Sequence, residues 1–127
     1  MLAEAQTIAL VGASPKPERP SNQVMRYLLD VGYRVIPVRP LDCDDVHGVP
    51  CAATLAEIDE PIDLVDVFRR PEFCPDHARE AVAAGAKALW LQVGIESAEA
   101  RGIAEANGLD YVENACTRVV HRRHLAR

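Results

Sequence analysis

The sequence of 127 residues has no basic excess, no CxxC pair and no long apolar run. Lysine and arginine number 14 against 19 acids, a formal net charge of -5. A general nucleic-acid binder usually shows the opposite balance, so that class is disfavoured. The cysteines, Cys43, Cys51, Cys74 and Cys116, carry neither a thioredoxin-like motif nor a zinc knuckle. No apolar stretch approaches the roughly 20 residues of a membrane span. Met1 to Gln6 contains acid and no basic residue, which does not read as a signal peptide. These absences predict a cytoplasmic protein with reduced thiols and no membrane partner. His47, His77, His121 and His124 are scattered without the spacing to acid or thiol that a metal needs. There is no internal repeat and no low-complexity segment.

What remains is close to an average soluble domain, 49% hydrophobic and 26% charged. The length predicts a single domain over 1–127, able to bury a core without a disulfide or structural metal. Thr7 to Val11 is a short apolar run ending at Gly12, which reads as a buried strand. Ser21 then stands as an N-cap before Val24, Tyr27, Leu28 and Val31, a helical stripe stopped by Gly32. Further strands are predicted at 33–38, 62–68, 87–93 and 109–112, with helices over about 74–84 and 97–107. Residues 39–53 carry turn formers without helical period, and Thr54 to Ile58 suits one short turn. A loop and a terminal helix are expected after the last strand. Alternating strands and helices, with near-continuous apolar strands, imply a parallel sheet covered on both faces. The expected fold is α/β, a Rossmann-like three-layer sandwich with a five-stranded parallel sheet in the order 3-2-1-4-5.

Ligands bind such sheets outside the carboxyl ends of the strands, where the strand order reverses. That directs attention to residues 12–22, 38–42, 68–73, 92–97 and 113–118. In the first of these loops Gly12 permits a sharp turn, Ser14 offers a hydroxyl, and Lys16 and Arg19 add charge. The N–H groups at the start of the following helix suit a phosphate. Neither GxGxxG nor GK[ST] occurs, so neither a dinucleotide fingerprint nor a Walker loop is specified. After the second strand stands Arg39 rather than the acid that holds ribose hydroxyls in NAD sites. A cation there suits a phosphate on the ribose, as in NADP or coenzyme A, and equally suits an exposed loop. Phe68 can line a groove, and of the adjacent Arg69 and Arg70 at most one is expected to face the site. Gln92 and Gly94 offer a neutral hydrogen-bonding group and a close backbone approach.

At these loops the sequence resembles a known family. The segments are 7–14 (TIALVGAS), 19–21 (RPS), 33–38 (YRVIPV), 65–69 (VDVFR), 90–96 (WLQVGIE), 114–116 (NAC) and His121-Arg122. Together they are similar to the small stand-alone bacterial CoA-binding proteins, and through them to the N-terminal CoA-binding domain of the succinyl-CoA synthetase α subunit. The resemblance runs over roughly residues 7–124. It implies coenzyme A as the cofactor, with Gly12, Ala13 and Ser14 at its phosphates and Arg19 and Ser21 beside them. Val38 and Pro40 would border the adenine, Phe68 and Arg69 the next wall, and Gln92, Gly94 and Ile95 the nucleotide or pantetheine path. Two departures stand out. The family usually has Asn where Arg39 stands, which directs Arg39 to the 3′-phosphate. Many members also carry an extra helix before the first strand, where six residues stand here.

No catalyst is legible. Cys116 and His121 are five apart, roughly 140° around a helix, and read as a buried small residue and a surface histidine. Paired carboxylates and a Ser-His-Asp arrangement are absent. Arg118, Arg122, Arg123 and Arg127 form either a solvated tail or a basic element that closes on an anionic ligand or partner subunit. The favoured expectation is a non-catalytic or regulatory protein that binds CoA or an acyl-CoA at the sheet's carboxyl edge. The alternatives are an NADP- or nucleotide-dependent oxidoreductase fragment, and an interaction subunit with a vestigial nucleotide site. A homo-oligomer or a partner subunit stays open.

Overall fold

The computed structural model describes residues 1–126. Five parallel strands form the sheet: β1 (Thr7–Val11), β2 (Arg34–Val38), β5 (Leu64–Val67), β6 (Ala88–Leu91) and β7 (Asp110–Val112). Four helices cover it: α1 (Pro20–Asp30), α2 (Cys74–Ala83), α3 (Ala98–Ala106) and α4 (Thr117–His124). The α/β three-layer fold is the expected one.

The order along the sheet is β2-β1-β5-β6-β7. Counting only these strands it is 2-1-3-4-5, so the expected 3-2-1-4-5 needs correcting. The third strand lies beside β1 rather than beyond β2. Burial explains why. Leu64, Val65, Asp66 and Val67 are all inaccessible to solvent, as an interior strand requires. In β2, Arg34 is exposed and Pro37 has no N–H to give a second neighbour, which suits an edge. The strand order therefore reverses between β1 and β5.

Successive side chains of each strand point to opposite faces, and two cores result. Ile8, Leu10, Val35, Leu64, Ala88 and Trp90 pack under Val24, Met25 and Leu28 of α1 and Val120 of α4. Ala9, Val11, Val65, Val67, Leu89 and Leu91 pack under α2 and α3. Those two helices meet the sheet through Ala78, Ala81, Ala100 and Ala104, small enough for close approach.

Most local expectations hold within one or two residues. Ser97 caps α3 by accepting from the Ala100 N–H at 3.1 Å. The cap of α1 is Arg19 rather than Ser21, because Pro20 takes the first helical position, where its missing N–H costs nothing. Between β2 and β5 a small antiparallel hairpin appears, β3 (Asp45–Val46) with β4 (Val49–Pro50). Its His47-Gly48 turn has φ of 52° and 81° at the two residues, the left-handed pair that a two-residue hairpin needs. Cys43 and Cys51 flank this hairpin and are joined as a disulfide, their Cα atoms 5.9 Å apart, while Cys74 and Cys116 are free. The expectation of four reduced thiols is corrected accordingly. The hairpin puts the two cysteines on paired chain segments, at a separation a disulfide spans.

Candidate functional site

A cleft of about 770 Å³ opens at the carboxyl ends of the strands, across the point where strand order reverses. Five chain segments build its walls. The β1–α1 loop and first turns of α1 contribute Gly12, Ser14, Lys16, Arg19, Pro20, Ser21, Gln23 and Val24. Arg39 follows β2, and Phe68, Arg69, Arg70 and Pro71 follow β5. Gln92, Val93 and Ile95 follow β6, and Cys116, Arg118 and Val119 come from the start of α4.

Gly12 sets the floor. Its φ is +86°, and a Cβ there would lie 2.5 Å from the Phe68 carbonyl oxygen. Only a residue without a side chain lets the ends of β1 and β5 come this close. The Gly12 and Ala13 N–H groups both donate to the Val38 carbonyl, at 3.1 and 3.4 Å. Those two amides tie the loop to β2. The loop is tied to α1 as well, since Asn22 Nδ2 donates to the Ser14 carbonyl at 2.9 Å. Ser14 Oγ accepts from the Lys16 N–H at 3.2 Å.

Nine of the thirteen residues expected at a ligand line the cleft: Gly12, Ser14, Arg19, Ser21, Arg39, Phe68, Arg69, Gln92 and Ile95. Ala13, Val38, Pro40 and Gly94 do not. The side chains of Ala13 and Val38 are buried in the two cores, and Pro40 and Gly94 are exposed outside the lining. The Gly94 N–H donates instead to Asn114 Oδ1 at 2.7 Å, helping to seat the loop that leads into α4.

Charge is the cleft's main chemical feature. Lys16, Arg19, Arg39, Arg69, Arg70 and Arg118 line it, and no carboxylate among the described residues does. Both Arg69 and Arg70 take part, where one alone was expected. The Arg69 guanidinium also lies 4.5 Å from the Phe73 ring centroid, a cation–π contact that limits its swing. Arg39 is held by two backbone carbonyls, with Nε donating to Leu41 at 2.9 Å and Nη1 to Ala13 at 3.1 Å.

Beneath the cleft sits a polar cluster that the sequence did not announce. Asp66 of β5 is fully buried with Gln92 and Thr117 as partners. Gln92 Nε2 donates to Asp66 Oδ1 at 2.6 Å and to Thr117 Oγ at 2.9 Å, and the Thr117 hydroxyl donates to Asp66 Oδ2 at 2.9 Å. Burial without a cationic partner pushes the Asp66 carboxyl up to about 7, against the smaller downward pull of these two bonds. With both Nε2 hydrogens engaged, Gln92 Oε1 is buried and has no partner among the described residues; the same is true of Arg118 Nε. Such atoms are uncommon in folded proteins and ask for a partner.

The C-terminal basic cluster divides. Arg118 lines the cleft, whereas Arg122 and Arg123 are exposed, and Arg127 lies outside the described residues. His121, expected at the surface, is buried instead. Its Nδ1 is 2.8 Å from the Tyr27 hydroxyl, and its ring stands edge-on to Tyr27 and Tyr33. That contact fastens α4 to α1, and the Trp90 indole N–H, donating to the Ala115 carbonyl at 2.8 Å, fastens the preceding loop. Arg118 is thus aimed by the apolar side of its own helix. The sequence signal for it was the amphipathic spacing of Val120 and His121 beside exposed arginines, too short to separate from a tail.

Comparison with known proteins agrees with this geometry. The family described as CoA binding domain matches residues 6–122. The uncharacterized protein YneT of Bacillus subtilis (strain 168) is 38% identical over 121 residues, 95% of this chain and 89% of its own length. A hypothetical protein from Pyrococcus horikoshii OT3 is 41% identical with a TM-score of 0.94, covering 98% of this chain and 87% of that one. The dinucleotide forming acetyl-coenzyme A synthetase 1 of Ca. Korarchaeum cryptofilum, solved with phosphate and ADP, shares the fold alone. It has 22% identity and a TM-score of 0.76, over 86% of this chain and 26% of the synthetase. By sequence over nearly its whole length and by fold, the chain belongs to the CoA binding domain family.

Proposed function

We propose that the cleft binds coenzyme A or an acyl-CoA, and that the protein acts as a non-catalytic or regulatory binding module. The observation that carries this reading is the concentration of six cationic side chains, with no carboxylate among the described residues, in one cleft of a protein whose net charge is -5. A ligand bearing a diphosphate and a further phosphate matches that field.

The residues present fit such a ligand. Gly12 lies at the floor of the cleft, and Ser14, Lys16, Arg19 and Ser21 surround the start of α1, where a helix favours anions. These would hold the diphosphate, with Arg69, Arg70 and Arg118 as opposing charges. Arg39, fixed by two carbonyls, would meet the 3′-phosphate. Phe68 and Pro71 offer flat apolar surface for adenine, and Val93, Ile95 and Val119 an apolar path for the pantetheine arm. Gln92 would accept an N–H along that path. A cytoplasmic setting belongs to the same reading.

Thermal unfolding of the purified protein with CoA, acetyl-CoA, NADP or ATP tests it. A ligand at 100 times its Kd stabilises by about 2.7 kcal/mol, which shifts the midpoint by several degrees. CoA and acetyl-CoA are expected to raise the midpoint. A rise with NADP alone would favour the oxidoreductase reading, and no rise with any ligand would favour an interaction subunit.

A further inference from the structure

Of the four cysteines, three offer the cleft no free thiol. Cys43 and Cys51 are bonded to each other. Cys74, the first residue of α2, is buried, which pushes its thiol up to about 11 and keeps it protonated. Cys116 differs, being half-buried, free and part of the cleft lining.

A second feature lies at the same end of the cleft. Cys116 directly precedes Thr117, whose hydroxyl accepts from the Gln92 amide at 2.9 Å. Gln92 is 2% exposed, lines the cleft, and its Oε1 has no partner among the described residues. Its Nε2 gives both hydrogens away, to Asp66 Oδ1 and to Thr117 Oγ, and turning the amide over would lose these two bonds. That buried, unpartnered acceptor belongs to a residue lining the same cleft as the Cys116 thiol, and its amide is bonded to the residue that follows Cys116. Cys116 is also the N-cap of α4, a helix start with no acid in its first turn, and Arg118 follows two residues later.

Building on the CoA reading, we propose that Cys116 is a thiol–disulfide exchange site for the ligand's own thiol terminus, with Gln92 positioning the adjoining amide. The co-reactant is the symmetrical disulfide of CoA. The Cys116 thiolate attacks one sulfur of that disulfide, the ligand's S–S bond breaks, and a Cys116–CoA disulfide forms. The second CoA leaves as a thiolate and takes up the proton Cys116 gave away. The ligand disulfide is the oxidant, and one of its halves leaves reduced. The result is a protein that holds CoA covalently under oxidising conditions and releases it to a reducing thiol.

Incubating the full chain with CoA disulfide, then measuring intact and peptide masses, tests this. One CoA is expected on Cys116 and none on Cys74, at a rate at least about tenfold above that with glutathione disulfide, because binding raises the local concentration. Adenosine 3′-phosphate 5′-diphosphate, which has the phosphates but no thiol, should slow the CoA reaction and not the glutathione one. Gln92→Leu should lower the rate ratio of CoA to glutathione disulfide by about tenfold while adenosine 3′-phosphate 5′-diphosphate still raises the variant's unfolding midpoint, which shows that the folded cleft is kept. Equal rates with the two disulfides, or modification spread over other cysteines, would overturn the exchange site while thermal stabilisation by CoA left the binding reading intact. If CoA gave no stabilisation, the binding reading itself would fall.

Discussion

Gly12 is constrained by its backbone and Asp66 by its burial. Gly12 combines a φ of +86° with a Phe68 carbonyl 2.5 Å from where a Cβ would sit. Gly12→Ala must therefore strain the backbone and push β1 from β5. It is expected to cost about 2–4 kcal/mol, read as a lower urea midpoint at unchanged m-value. Asp66 behaves oppositely to an ordinary carboxylate. Its folded pKa is raised from 3.8 to about 7 by burial. Between those pH values the folded chain holds a proton that the unfolded chain has lost. Its contribution is fully present below about pH 4, falls as pH rises towards 7, and is flat above. Asp66→Asn removes that dependence. The stability of the wild type relative to this variant is expected to drop by a few kcal/mol in order of magnitude between pH 4 and 8, measured by urea unfolding at several pH values.

At the level of elements, α4 decides whether the cleft is complete. It is eight residues long, too short to persist alone, and is held by Tyr27–His121 on one side and the Trp90–Ala115 bond at its entrance. His121→Ala leaves the Tyr27 hydroxyl without its partner and is expected to cost about 1–3 kcal/mol of stability. Arg118→Ala should do the reverse. It removes a buried nitrogen that lacks a partner, so the free protein keeps or gains stability, while CoA affinity falls about tenfold. Thermal unfolding and calorimetric titration of the two variants separate these effects. A loss of stability in Arg118→Ala, with unchanged affinity, would contradict this assignment of α4.

For the whole molecule, the field is the relevant quantity. An acidic protein that gathers six cations in one cleft attracts a polyanion to that cleft and repels it elsewhere. Salt screens such attraction, with a Debye length falling from roughly 10 Å at 0.1 M to 3 Å at 1 M. The Kd for CoA is accordingly expected to rise by about tenfold or more between 0.05 and 0.5 M salt in titrations, with dephospho-CoA less affected because it carries less charge.

The sequence by itself determined the local elements and the fold class. Apolar runs closed by Gly12 and Gly32, the Ser97 cap and the stretch from Cys74 to Gly85 specify strands and helices through residues adjacent in the chain. It also marked most of the cleft, because loops at the carboxyl ends of parallel strands converge whatever the strand order. Tertiary structure alone decided that β5 lies beside β1 and that His121 turns inward. It also put Arg118 into the cleft and Asp66 under Gln92 and Thr117. These outcomes rest on contacts between residues far apart, 94 positions for Tyr27 with His121 and 51 for Asp66 with Thr117. Local propensity carries no information about such pairs. They are settled by which faces can be buried together and which polar groups can satisfy one another once the chain has folded.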